Sequence, residues 1–177
     1  MAVFAVSAIG RDRPGIVAGI SEALLAVRGN IEDSQMSILR GHFAVMLIVS
    51  VPEPAGADEL QRSLEPVRGR LELEALSVNE VDELGPAAAE ATHVLTVYGA
   101  DHPGIVHAVS AALAGRGINI TDLETRLGGS DQEPVYMMLM EVALGDVSVD
   151  DVEAELRRVG REAEVEVSLR PLEAEAL

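Results

Sequence analysis

The octet GRDRPGIV at residues 10–17 returns as GADHPGIV at residues 99–106, 89 positions later. The offset holds without a gap from Gly10 to Asp33. Asp12 pairs with Asp101, Pro14 with Pro103, Gly15 with Gly104, Ile16 with Ile105, and Asn30-Ile31 with Asn119-Ile120. A period this long marks a duplicated domain, not a solenoid of short repeats. The expected organisation is two similar units, residues 1–82 and 92–170. ELGPAAAEA (83–91) would be the linker and PLEAEAL (171–177) a tail.

Each copy reads as βαββαβ. In the first, AVFAVSAI (2–9) is apolar on both alternations, which predicts a buried strand. A helix is expected from Pro14, with Val17, Ile20, Leu24 and Val27 at helical spacing and a stop at Arg28-Gly29. A strand over about 30–39, a tight turn at Arg40-Gly41 and the apolar run HFAVMLIVSV (42–51) predict a hairpin. Leu60, Leu64 and Val67 predict a second helix, which Pro66 should end or kink early. A fourth strand falls near 71–81. The second copy repeats this order: strands near 92–98, 119–127, 135–143 and 163–170, and a helix at 103–116. GGSDQEP (128–134) is expected as a longer loop. A last helix should open with Ser148 and Asp151 at capping-box spacing.

This order predicts the α+β, ferredoxin-like class: two antiparallel sheets, each with its helices on one face and its first and third strands central. A sheet covered on one face should alternate apolar and polar residues. Residues 43–49 are apolar on both alternations, so a second cover is expected, from the other copy or from another chain. A homodimer or other homo-oligomer is the expected assembly.

Composition narrows the function. The 177 residues carry a formal charge of −17, which disfavours contact with phosphate backbones, and only Phe4, Phe43, Tyr98 and Tyr136 could stack on bases. No direct nucleic-acid partner is expected. Cysteine is absent, as is lysine, so thiol nucleophiles, Schiff bases and P-loops are excluded. No apolar run reaches the roughly 18 residues of a membrane span. The N-terminus has no basic signal region, so the expected compartment is the cytoplasm. His42, His93, His102 and His107 form no metal motif, and no nucleophile elbow occurs. Neither a cofactor nor a catalytic residue is expected.

The repeated octet can do local chemistry. The first amides of a helix lack intrahelical acceptors and form a partial positive end that favours a carboxylate or phosphate. Gly15 lets a ligand approach the backbone, Asp12 could hold an ammonium, and Asn30 offers a donor and an acceptor. Together they would suit a free amino acid. The same applies to Asp101, Gly104 and Asn119. The alternative is structural: Asp-x-Pro-Gly is also a well-made helix start, and a turn is duplicated along with its domain.

A βαββαβ unit with G-x-D-x-P-G-I-V after its first strand and G-x-N-I before its second resembles the ACT domain, a regulatory amino-acid-binding module. The resemblance covers both halves. A chain of two such units resembles the glycine cleavage system transcriptional repressor family. The motif also opens formyltetrahydrofolate deformylases and some phosphoserine phosphatases, in which a catalytic domain follows. The resemblance implies a non-enzymatic regulator whose partner is an amino acid, glycine or serine first, and whose effect passes to a regulator protein or enzyme by contact. It also implies sites between paired domains. The loop after the first strand of one domain (Gly10, Asp12, Pro14, Gly15, Ile16; or Gly99, Asp101, Pro103, Gly104, Ile105) would meet the start of the second strand of its neighbour (Asn30, Ile31; or Asn119, Ile120). The competing reading is a ligand-free interaction or oligomerisation scaffold.

Overall fold

The two runs that are apolar on both alternations become the inner strands of the first sheet. In the computed structural model, which describes residues 1–81, 89–130 and 133–172, the chain divides into two units, Met1–Gly85 and Pro86–Leu177. Unit 1 contains β1 (Ala2–Arg11), α1 (Ile16–Ala26), β2 (Asn30–Leu39), β3 (His42–Val51), α2 (Ala57–Leu71) and β4 (Leu73–Glu80). Its sheet is antiparallel throughout, in the order β2-β3-β1-β4. Unit 2 repeats the plan with β5 (His93–Ala100), α3 (Ile105–Ala114), β6 (Asn119–Ser130), β7 (Glu133–Ala143), α4 (Val149–Glu162) and β8 (Val165–Pro171), in the order β6-β7-β5-β8. The ferredoxin-like expectation holds in both halves. The expected linker falls largely on residues 82–88, and most of the tail on 173–177, outside the described residues.

One alternation of each inner strand faces the helices. Phe4, Val6 and Ala8 of β1 and Phe43, Val45, Leu47 and Val49 of β3 form a single core with Ile16, Ile20 and Leu24 of α1 and Leu60, Leu64 and Val67 of α2. Each large side chain fully buried here contributes about 1.5–3 kcal/mol. The other alternation lies on the far face, where Ile9 and Met46 stay exposed.

The turns follow their residue types. Arg40 and Gly41 both have positive φ (49° and 81°), the geometry of a tight primed hairpin turn. α1 ends in a Schellman motif: the Gly29 amide donates to Leu24 O (2.8 Å) and that of Arg28 to Leu25 O (2.9 Å). The left-handed residue is Arg28 (φ 56°), not the expected glycine. Gly29 answers to crowding instead, because a Cβ there would lie 3.2 Å from both Leu24 O and Val49 Cγ1. In unit 2 the left-handed position does hold a glycine, Gly117 (φ 72°).

Three further expectations are corrected. Pro66 does not end α2, which runs on to Leu71 with Pro66 inside it. Burial of Leu60, Leu64 and Val67 on one stripe outweighs the lost hydrogen bond. GGSDQEP is largely strand: Gly128 pairs with Val135, Gly129 with Pro134 and Ser130 with Glu133, so backbone pairing extends the hairpin. Ser148 is the N-cap of α4, but its side chain makes no capping bond, so the capping box is not formed.

Candidate ligand-binding site

The octet occupies the turn between the first strand and first helix of each unit. Gly15 is the N-cap of α1 at φ 94°, ψ −3°, and Gly104 the N-cap of α3 at φ 102°, ψ −11°. These left-handed conformations favour glycine. They also correct the expected helix start: the left-handed residue interrupts helical geometry, so α1 begins at Ile16, and Pro14 precedes the cap. The first intrahelical bonds run from the Gly19 amide to Gly15 O (2.8 Å) and from the Ala108 amide to Gly104 O (2.9 Å). The amides of Ile16, Val17 and Ala18, and those of Ile105, Val106 and His107, therefore have no acceptor within their helices. Neither helix has a side-chain cap, so Asp12 and Asp101 do not fill that role. A Cβ on Gly15 or Gly104 would meet nothing within 4 Å. The space before each helix end is open.

The other constant residues have structural duties. A Cβ on Gly10 would stand 3.2 Å from Leu73 Cα, and one on Gly99 would stand 2.9 Å from Val165 Cγ1 and 3.2 Å from Val165 Cα. These glycines let the last strand of each unit pass close to the first. Ile16 and Ile105 are both 2% exposed and belong to the cores, so only their amides can face a ligand.

The variable residues of the octet tie it to the end of the second helix. In unit 1, Arg13 Nη2 donates to Glu72 Oε2 at 2.7 Å, and Glu72 is the C-cap of α2. In unit 2, His102 holds the corresponding place. Its Nε2 lies 2.7 Å from the carbonyl of Ala163, the C-cap of α4, and its Nδ1 lies 3.1 Å from Pro103 O. Carbonyls only accept, so both contacts are hydrogen bonds only when both ring nitrogens carry hydrogen. The bond to Ala163, then that to Pro103, raises the pKa above the usual histidine value; Glu164 and Asp101 add to this, and desolvation opposes it.

Two concavities of unit 2 meet at His102. One, of about 500 Å³, lies at the start of α3 and is lined by Pro103, Gly104, Val106, His107 and Tyr136. The other, of about 490 Å³, lies between α3 and α4 and includes Ala108, Ala112, Glu155 and Arg158. Tyr136 was not expected at the site. Its hydroxyl donates to Met138 Sδ at 3.6 Å, and burial, with the charge of Asp101, pushes its pKa up. The only sequence sign was the change from Phe43 to Tyr136 at one repeat position. Both residues pair with the octet glycine, Phe43 with Gly10 and Tyr136 with Gly99.

Asn30 and Ile31 are not near the octet of their own unit. Asn30 pairs with Ser50, which pairs with Val3, at the start of β1, whereas Gly10 stands at its end. Seven residues of strand separate the two levels by about 23 Å. Asn119 and Ile120 lie at the far end of their sheet in the same way: Ile120 pairs with Val142, which pairs with His93. A bulge follows each pair, at Glu32 and Thr121, where the register shifts. A pocket joining Asp12, Gly15 and Asn30 of one unit is therefore not formed, because α1 carries the chain back along the sheet before β2 begins. Among the described residues, no cluster of three His, Asp or Glu could hold a metal ion. No helix among the described residues is long and apolar enough to cross a membrane.

Comparison with known proteins agrees with this architecture. Two ACT domain models match, one over residues 3–76 and the other over residues 93–161. The glycine cleavage system transcriptional repressor of Escherichia coli is 28% identical over 138 residues, covering 77% of this chain and 71% of that protein. A UPF0237 protein of Methanopyrus kandleri is 50% identical over 48 residues, covering 27% of this chain and about half, 53%, of its own length. The crystal structure of an unknown protein from Galdieria sulphuraria superposes with a TM-score of 0.81 at 32% identity, covering 97% of this chain and 99% of that one. Two matches in tandem, each laid over a βαββαβ unit, place the chain in the ACT domain family.

Proposed function

We propose that this protein is a non-enzymatic regulator that binds an amino acid at sites shared between two ACT domains and transmits binding by protein contacts. One observation carries the reading: each unit has an uncapped helix N-terminus facing open space, while its Asn-Ile pair lies at the opposite end of the sheet. One unit alone cannot assemble both halves of a site. A neighbouring domain, from the same chain or another, would supply Asn30-Ile31 or Asn119-Ile120 to the octet of its partner. The helix amides would hold the carboxylate, and Asp12 or Asp101 the ammonium. Glycine and serine are the first ligands to test, on the strength of the likeness to a repressor named for glycine cleavage.

The scaffold reading draws on the packing duties of Gly10, Gly99, Ile16 and Ile105, which explain two residues of each octet without a ligand. A thermal-shift panel with the twenty amino acids separates the two. A ligand that binds only the folded state raises the melting temperature in proportion to the logarithm of its excess over Kd. A rise with one or a few amino acids, lost in Asn30→Ala or Asn119→Ala, supports the sensor. A flat panel supports the scaffold.

A further inference from the structure

We infer that the open sheet face of unit 1 is the surface through which two copies of this chain associate, independently of any ligand. The far faces of the two sheets differ in charge. In unit 1 it is formed by Ala5, Ser7 and Ile9 of β1, Ala44, Met46 and Ile48 of β3, and Ala75, Ser77 and Asn79 of β4, as the register dictates. None of these nine is charged. The nearest charged groups on this face are marginal: Arg11 at the end of β1 and Asp33 on the edge strand β2. In unit 2 the same face carries Asp122, Glu124, Arg126, Glu141, Glu166 and Arg170. A solvated antiparallel face normally reads polar. In a chain of net charge −17, a sheet face whose β1, β3 and β4 positions carry no charge between Ala5 and Ile9 calls for a reason.

Three observations point to a second copy as the occupant. The first is electrostatic. Packed sheets sit about 10 Å apart, close to one screening length, so two acidic chains approach most easily where neither presents charge. Docking through the face of unit 2 would strip water from six charged groups. The second is polar satisfaction. Ser7 Oγ and Ser77 Oγ are 2.7 Å apart, and Asn79 Nδ2 donates to Ser77 Oγ at 3.5 Å. The Ser7 and Ser77 hydroxyls at the centre of the face already partner each other, so covering them leaves neither without a bond. The third is area. All four strands, with Asp33 of the edge strand β2 at the rim, lie about 4.8 Å apart and run about 33 Å, so they cover roughly 600 Å² per copy, or about 1,200 Å² in a pair. That reaches the range of specific interfaces. Ile9 (45% exposed) and Met46 (54% exposed) stand above a floor of Ala5, Ala44 and Ala75, so knobs and hollows lie on one surface, as an isologous two-fold contact requires.

The test is sedimentation velocity of the full chain over a wide concentration range, without amino acids, so that its outcome is separate from that of the ligand reading. The wild type should be a dimer. Met46→Glu on β3 and Ala75→Arg on β4 should each weaken self-association by about 100-fold or more, because each buries an unpaired charge. Leu139→Glu, the equivalent of Met46→Glu on the face of unit 2, should leave Kd within about three-fold. Circular dichroism checks folding; if Met46→Glu unfolds, the exposed position Ala75 decides. A monomeric wild type overturns the inference. So does a dimer that survives the substitutions on the unit 1 face, or one that Leu139→Glu dissociates.

Discussion

Gly15→Ala separates the conformational role of the octet from its binding role. The backbone there sits at φ 94°, ψ −3°, and an added Cβ would meet nothing within 4 Å. Packing therefore contributes nothing to the cost, and left-handed strain sets it at about 1–2 kcal/mol. For a domain of 60–100 residues, each kcal/mol moves the melting temperature by about 4–8 °C, so unit 1 should melt roughly 4–16 °C lower. Ile16, Ile20 and Leu24 bury α1 in the core, so a displaced helix start is felt through the whole unit. Calorimetry of the full chain is the assay. Gly104→Ala, at φ 102°, should shift the transition of unit 2 instead. A Gly15→Ala protein that melts within a degree of wild type refutes the assignment of left-handed geometry as the reason for glycine. The strained turn would also displace the amides that follow Gly15. A variant that is less stable yet keeps the full ligand-induced rise would refute the placement of the carboxylate at those amides.

Further outcomes test other parts of the structure. Gly99→Ala should cost about 1–3 kcal/mol by overpacking, read by denaturant unfolding, because its Cβ would lie 2.9 Å from the Val165 side chain. Pro66→Ala should raise the melting temperature of unit 1, since it restores a hydrogen bond inside α2 and relieves the ring clash; a lower melting temperature would count against the straight-through helix. Leu64→Ala, at a fully buried site between α2 and the sheet, should cost about 2–5 kcal/mol in the same unfolding experiment. His102 has a raised pKa in the folded state, so the stabilisation from donating to both the Ala163 and Pro103 carbonyls is complete below the usual 6.5 and fades as pH rises through the folded value. Imidazole NMR should titrate above the usual value, and His102→Gln should flatten the pH dependence of unit 2 melting above the usual histidine pKa. Arg13 fills that place in unit 1 and stays charged throughout, so unit 1 should show no such dependence from this clamp.

Several features were legible from the chain alone because they are written locally. The 89-residue repeat announced two like units, and the switch from continuous apolar runs to helical spacing announced βαββαβ in each. Strands 30–39 and 42–51 and the turn between them fall where turn residues and β-rich runs put them. Local rules failed where distant packing intervened. Pro66 is held in a helix by core contacts, and GGSDQEP is drawn into a hairpin by β7. The octet shows the same division. Its glycines and proline mark a turn, and its uncapped amides follow from the helix that comes next.

Only the fold decides that Gly10 and Gly99 are required by strands more than sixty residues away, because close approach is a property of the packed sheet. Only the register shows that Asn30 and the octet, twenty positions apart in the chain, stand at opposite ends of one sheet. Sequence spacing counts residues along the chain. Which residues can share a ligand, or a dimer face, depends on the side and the end of the sheet to which strand pairing brings them.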